Sequence, residues 1–482
     1  MERFSINSRN TTANEGDKVR ETHLRQSRQT VKLGLIKVVN DLFPGETLKT
    51  AYSIQEGVFC NLAGSVLSER EVKQINIKLQ EWVDKVSPIE FLFKKAGYYH
   101  YKVENTIVKS IYPANTQTAL VEPFRMIPFS SGFIIDFFDS EEGEEKPFIL
   151  PEKLSATYEK SQRWLKNVNL ELVSDVNAYI TSGQSSELLS IAEALQEKEI
   201  SDIADAILQQ RRAVRVILIS GPSSSGKTTF SARLSTQLRV NGLKPIPLSL
   251  DDYFLNRDQT PLDSEGNYNF EAFEALDIQL LQQHLKQLID GETIETPRFD
   301  FVSGSRMDKT RTMHLGPAEI LVIEGMHALN PLLISNVNRS TFFKVYIGAL
   351  FELNIDLMNR VPTTEVRLIR RMVRDDRFRG TTPEGTFNRW ASVRKGEYDY
   401  VFKFHEEADV MFNSSLLYEM NALRHFAEAC LQKVQEDSPH YATKERLLNL
   451  LSFFEPLDID KVPFNSILRE FIGESIYAHC KF

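Results

Sequence analysis

The chain has 482 residues, too many for one ordinary domain, and its 42% hydrophobic, 26% charged and 10% aromatic content is globular and excludes wholesale disorder. Fifty-seven basic against 66 acidic side chains leave a net charge of −9 and a pI near 5.7, which excludes a surface that grips nucleic acid all over but not a local basic site. Three cysteines (Cys60, Cys430 and Cys480) lie far apart without metal-type spacing, so a disulfide scaffold is excluded and a reducing compartment is favoured.

Apolar runs such as 216–219 fall far short of a membrane span. The first residues have no apolar stretch and carry Glu2, Glu15, Asp17 and Glu21, so a cytoplasmic protein without a membrane is expected. Residues 1–28 are polar and aperiodic, and are expected to be loose. Residues 29–150 read as an α+β domain, with helices over 31–42 and 69–86, strands near 98–103 and 132–137, and a linker-like acidic run at 139–145. A helical connector follows over 151–212. From 213 to 437 strands and helices alternate: strands at 214–220, 245–250, 320–324, 342–347 and 410–412, helices at 228–240, 271–288 and 354–374. That grammar predicts an α/β fold with a parallel sheet covered on both faces. Residues 438–482 read as a helical, partly apolar tail.

Gly221-Pro222-Ser223-Ser224-Ser225-Gly226-Lys227-Thr228, followed by Thr229, fits G-x-x-x-x-G-K-[ST] between a buried strand and a helix. Glycines let successive backbone N–H groups face phosphates, and the helix N-terminus adds the positive end of its dipole. Lys227 supplies a point charge for the β- and γ-phosphates, and the Thr228 hydroxyl can ligate Mg²⁺. The bland alternative is a Gly/Ser-rich turn. A nucleoside triphosphate such as ATP is the expected ligand.

Asp251 follows the second strand, and in an open α/β sheet ligands sit beyond strand C-termini, so it should face the same crevice as Lys227. A carboxylate there can take the proton of an attacking hydroxyl or help hold Mg²⁺; the alternative reading is a helix N-cap or turn pair. Glu324 ends an apolar strand, the Walker B position for a metal-side acid. Residues 360–380 then hold Arg360, Arg367, Arg370, Arg371, Arg374, Arg377 and Arg379 against Glu365, Asp375 and Asp376, a local charge of +4. Arg367, Arg370, Arg371 and Arg374 share one helical face, and an anion is the natural compensation for their repulsion. A salt-bridged surface or an RNA contact is the alternative reading. Gly380 after the cluster suggests a hinge for a lid.

Taken with Asn269-Phe270-Glu271, the 297–306 stretch, Ile323-Glu324-Gly325 and Arg374-Asp375, these segments resemble the uridine kinase/phosphoribulokinase family over roughly residues 212–435. More narrowly the chain resembles large bacterial members whose N-terminal region is similar to the second additional domain of threonyl-tRNA synthetase. Phe43-Pro44, the 128–137 stretch and the 465–473 tail carry that likeness. The resemblance implies a P-loop kinase core, ATP and Mg²⁺ as cofactors, and a small-molecule acceptor. It implies Asp251 as catalytic base beside Lys227, Glu324 with Thr228 on the metal, and Arg371 and Arg374 in catalysis. Tyr253, Glu271, Phe299, Arg306, Arg367 and Arg370 are the implied acceptor-binding residues.

Two departures matter. Uridine kinases carry Tyr and His in the 297–306 stretch to read the pyrimidine, where this chain has Phe299 and Gly304, so uridine is a default rather than a deduced acceptor. The histidine and cysteine pairs of synthetase editing domains are also missing from the N-terminal region, which therefore reads as a binding or packing module. The expected activity is phosphotransfer to a nucleoside-like or pentose-phosphate-like alcohol. The alternative is an ATP-responsive RNA- or tRNA-associated regulatory protein. Nucleic acid at the N-terminal domain and a homo-oligomer are left open.

Overall fold

A computed structural model describes residues 10–477, apart from 55–56, 138–147, 149, 264–265, 267, 301–302 and 336. The acidic run expected as a linker thus lies outside the described residues. Helix α1 (Asn10–Leu42) leads into β1 (Leu48–Ile54), β2 (Gly57–Leu62), α2 (Glu69–Asp84), β3 (Ile89–Lys95), β4 (Tyr98–Val103), β5 (Thr106–Ser110), β6 (Phe124–Phe129) and β7 (Gly132–Phe137). These strands form two antiparallel sheets, β1-β2-β7-β6 and β3-β4-β5. Ser68 and Glu71 close a capping box at the start of α2, whose Val72, Ile75, Leu79 and Trp82 are buried.

Over residues 10–28, α1 corrects the expectation of a loose stretch, since the helix begins at Asn10, while residues 1–9 of that expectation lie outside the described residues. Polar contacts rather than an apolar stripe hold its first half. Arg20 pairs with Glu122 at 2.8 Å and Arg25 with Glu365 at 2.5 Å, while the buried Ser27 hydroxyl accepts the Glu122 N–H at 2.7 Å. A search for hydrophobic periodicity is blind to such a helix.

Helices α3 (Glu152–Asn167), α4 (Val173–Thr181) and α5 (Ser185–Gln209) follow. The second half then winds through β8 (Val216–Ser220), α6 (Lys227–Val240), β9 (Lys244–Ser249), α7 (Ile278–Ile289), β10 (Thr293–Thr296), β11 (Phe299–Asp300), β12 (Ser305–Arg306), β13 (Arg311–His314), β14 (Glu319–Glu324) and β15 (Phe342–Gly348). It ends with α8 (Thr363–Phe378), α9 (Pro383–Tyr400), β16 (Val410–Asn413), α10 (Glu419–Leu431), α11 (Tyr441–Leu451) and the short α12 (Arg469–Ile472). The main sheet has the order β16-β15-β8-β14-β9, and every pairing in it is parallel. Alternate residues enter two cores: Ile217, Ile219, Val345 and Ile347 pack with α6, α8 and α10, whereas Val216, Leu218, Leu321 and Ile323 pack with α7. The sheet is therefore covered on both faces, as the apolar strands demand. Pro245 and Pro247 are tolerated because β9 is an edge strand.

Two expected helices are shorter than the sequence suggested. The one expected over 354–374 starts at Thr363, after Pro362, because Asn354 and Asn359 spend their side chains on backbone groups instead. Asn354 donates to the Thr50 carbonyl at 2.7 Å, Asn359 Oδ1 accepts from Ile111 N–H at 3.2 Å, and Arg360 donates to the Ala51 carbonyl at 3.1 Å. This turn is where the N-terminal half docks. The helix expected over 271–288 starts at Ile278, where the Asp277 side chain accepts the Leu280 N–H, so Glu271 stands in a preceding turn.

Candidate active site

β8 feeds the 221–226 turn, and its last residues need a left-handed backbone: φ is +59° at Ser224 and +84° at Gly226, the N-cap of α6. Ser224 and Ser225 are buried, and their hydroxyls have no partner among the described residues. Such groups cost free energy unless a ligand satisfies them, and phosphate oxygens would. Lys227 folds over its own loop, donating to the Gly221 carbonyl at 2.9 Å and the Pro222 carbonyl at 3.0 Å. Thr228 is exposed on the first turn of α6, and Thr229 is buried.

Several carboxylates act on this lysine, Glu324 and Asp251 most strongly. Register puts Ser249, the last residue of β9, beside Glu324, the last of β14. The Ser249 hydroxyl donates to Glu324 at 3.0 Å and accepts the Asp251 N–H at 3.3 Å, tying the two acids together. Glu324 lies at the floor of the cleft, while Asp251 opens to solvent at its mouth. Burial, then repulsion from Asp251, lifts Glu324 to about 7 against the pull of Lys227. Although its side chain reaches solvent, Asp251 is raised by desolvation from the protein packed around it, opposed by Lys227, Arg379 and Arg374. Glu271 is pushed to about 7 by burial, with Arg371 opposing and Glu397 and Asp251 adding repulsion. Burial lowers Lys227, and Glu324 and Asp251 are the first charges to oppose it. Asp251, Glu271, Glu324 and Lys227 thus share one electrostatic neighbourhood.

Glu324 at its strand end, with the Thr228 hydroxyl of the 221–229 loop, suits a Mg²⁺ ion, which usually takes one or two carboxylates and completes its octahedron with water and phosphate oxygens. The fit is electrostatic: a dication beside Glu324 offsets both the cost of burying its charge and the repulsion from Asp251, the two causes that raise it. Below pH 7 protons compete with the ion. We therefore expect kcat/KM to fall on the acid side with a midpoint near 7, and that midpoint to move to lower pH as Mg²⁺ is raised. A limb insensitive to Mg²⁺ would assign the titration to Glu271 instead.

The arginine face of α8 is split. Arg367 and Arg370 are fully buried. Arg367 forks onto Glu397 of α9 at 2.5 and 2.7 Å, and also donates to the Ser223 carbonyl at 3.1 Å. Glu397 in turn accepts the Ser223 N–H at 2.9 Å. Arg370 pairs with Glu419, and donates to the Ser224 carbonyl at 3.3 Å and the Ser414 carbonyl at 3.1 Å. Arg371 instead reaches the Ser223 hydroxyl at 2.6 Å, and Arg374 pairs with Asp375 at 2.8 Å. These two, with Arg379 just after the helix, are the cations of this segment whose fields reach Asp251 or Glu271.

Residues 216–417 match the model of the phosphoribulokinase/uridine kinase family. A uridine kinase of Deinococcus deserti is 30% identical over 197 residues, which cover 41% of this chain and 86% of the relative. Uridine kinases of Lactobacillus johnsonii and Mycoplasma genitalium are each 29% identical, covering 40% and 41% of this chain and 82% and 83% of theirs. The chain belongs to the phosphoribulokinase/uridine kinase family. It is an ATP-dependent phosphotransferase acting on a small-molecule alcohol.

Within this kinase several expected roles need correction. Arg367 and Arg370 cannot serve as acceptor ligands or as a lid, because both are buried and their terminal guanidinium nitrogens are committed to buried carboxylates and to backbone carbonyls. They are posts that hold Ser223 and Ser224 in place. Tyr253 is buried with its hydroxyl 3.0 Å from His284 Nδ1, so it does not face an acceptor. Arg306 bridges Asp277 at 3.1 Å and the Phe254 and Tyr253 carbonyls at 3.0 and 3.2 Å, bracing the 250–254 turn rather than presenting a free cation. Phe299 is half-buried, its ring 5.7 Å from that of Phe254 and its N–H donating to Asp252 at 3.3 Å. Sequence reasoning missed Ser249 and Glu397. The Arg394–Glu397 pair at i,i+3 (3.1 Å) was a weak local signal for the second; nothing local marked the first.

Among the described residues no helix is long and apolar enough to cross a membrane.

Proposed function

We propose that the chain transfers the γ-phosphate of ATP to a hydroxyl of a nucleoside-like or pentose-phosphate-like alcohol. In this reading residues 221–229 cradle the phosphates, and Thr228 and Glu324 hold Mg²⁺. The ion, when bound, neutralises charge on the phosphate oxygens. Asp251 accepts the proton of the attacking hydroxyl as its oxygen bonds to the γ-phosphorus and the bond to the β–γ bridging oxygen breaks, releasing ADP. Glu271 orients the acceptor by a hydrogen bond to a neighbouring hydroxyl. Arg371 and Arg374 offset the charge of the transferring group, so alignment and neutralisation supply most of the rate. The observation that carries this is the strand register that sets Ser249 beside Glu324, with the Ser249 hydroxyl bonded to Glu324 at 3.0 Å and to the Asp251 N–H at 3.3 Å, at the sheet edge that feeds the 221–229 loop.

One contact favours the phosphorylated class of acceptor. Gly304 has φ +68°, and a Cβ there would meet the Arg257 guanidinium at 2.9–3.0 Å. A cation therefore fills the space that a side chain at 304 would take, and a cation suits an anionic group better than a pyrimidine ring. The test is ADP release with Mg·ATP and a panel of nucleosides and pentose phosphates, beside Lys227→Ala. Release that depends on one acceptor class and is lost in the variant is expected. ADP release indifferent to every acceptor but stimulated by RNA would overturn the proposal.

A further inference from the structure

The first intrahelical bond of α6 runs from the Phe230 N–H to the Gly226 carbonyl, at 3.0 Å. The N–H groups of Lys227, Thr228 and Thr229 therefore have no carbonyl within the helix, and in a phosphate loop such donors serve the nucleotide's phosphates. One of them is already taken. The carboxylate of Glu470, more than two hundred residues on, accepts from the Thr229 N–H at 3.3 Å and from the Thr229 hydroxyl at 2.9 Å through a single oxygen, Oε2. Its charge is felt by Lys227, Glu324 and Arg379. An anionic oxygen bridging a backbone N–H and a hydroxyl at a helix N-terminus repeats what a phosphate oxygen does there.

The segment carrying Glu470 is fixed. Ile467, Leu468 and Phe471 are fully buried, and a Cβ on Gly226 would meet Ile467 Cγ2 at 2.6 Å. The Phe471 ring lies 5.0 Å from the Arg370 guanidinium, the same cation that holds the Ser224 carbonyl. Arg469 is buried against the Val462 and Ile459 carbonyls at 2.7 and 3.0 Å. Glu470 itself is only half-buried. The backbone has nowhere to retreat, so the Glu470 side chain is the part that can swing.

We propose that Glu470 occupies the phosphate subsite at the nucleoside end of the loop, so that a nucleotide binds only by displacing it. This rests on the kinase reading above, and assigns the C-terminal tail a place in the nucleotide site. A site competent for a fraction f of the time binds with its intrinsic Kd divided by f, so occupancy of Thr229 by Glu470 nine times in ten weakens nucleotide tenfold. Glu470 then sets how far the enzyme discriminates phosphorylated nucleotides from bare nucleoside.

Calorimetric titration of the full chain with Mg·ATP, ADP and adenosine tests this on the wild type, Glu470→Gln, Glu470→Ala and Lys227→Ala, with melting temperatures to confirm folding. Both Glu470 variants should bind ATP and ADP about three- to tenfold more tightly, with adenosine unchanged. If both bind ATP and adenosine more weakly, Glu470 holds the nucleoside and the displacement idea is wrong. Unchanged ATP affinity in the Glu470 variants, with binding lost in Lys227→Ala, overturns the displacement alone. Failure of all four proteins to bind ATP overturns the kinase reading together with it.

Discussion

Asp251→Asn should lower kcat by about 10³-fold while leaving the affinity for Mg·ATP within about threefold. The substitution is isosteric and keeps the turn whose N–H donates to Ser249. An amide, however, cannot accept the proton that leaves the acceptor hydroxyl, so the attacking oxygen must bond to phosphorus still protonated. Asp251 also repels charge on Glu324, so removing its charge should bring the Glu324 pKa down from about 7 and shift the acid limb of the residual activity to lower pH. Steady-state rates against pH and a nucleotide titration check both halves. Collapse of ATP affinity would move Asp251 from the base to the metal.

Glu397→Ala should destabilise the protein by about 3–5 kcal/mol, the usual cost of stripping one partner from a buried ion pair. Glu397 is fully buried and takes both forks of Arg367, the Ser223 N–H and Arg394 at 3.1 Å. Its loss leaves the Arg367 guanidinium buried without a counter-charge beside the Trp390 ring, and frees the Ser223 end of the phosphate loop. Denaturant titration should show the loss. The double variant Arg367→Met/Glu397→Leu should recover most of it, because removing both charges leaves nothing buried and unpaired. ATP binding should stay weak in the double variant, since the Ser223 backbone has lost its anchor. A lid arginine would behave in the opposite way, with turnover falling at unchanged stability.

The contrast between those residues shows what was legible in advance. The phosphate loop could be read at once, because its chemistry is local: two glycines, a lysine and two threonines within nine residues, between a strand and a helix. Asp251 and Glu324 could be read because a parallel strand delivers its last residues to one edge of the sheet wherever the rest of the chain goes. The common face of Arg367, Arg370, Arg371 and Arg374 followed from helical spacing. Which of the four would be buried did not follow, because Glu397 and Glu419 arrive from 30 and 49 residues downstream. Tyr253 failed for the same reason, its hydroxyl being claimed by His284 across the chain.

The amino-acid order alone therefore determined that the 221–229 turn and two acids meet at the C-terminal edge of a parallel sheet, since short-range spacing and strand direction are sufficient for that. Only the folded chain decided which cations remain available to a substrate, that residues 10–28 form a polar helix clamped by Glu122 and Glu365, and that Glu470 lies on Thr229. Each of these depends on a charge from a distant segment. A charged side chain looks the same in sequence whether its counter-ion is water, a ligand or a buried partner.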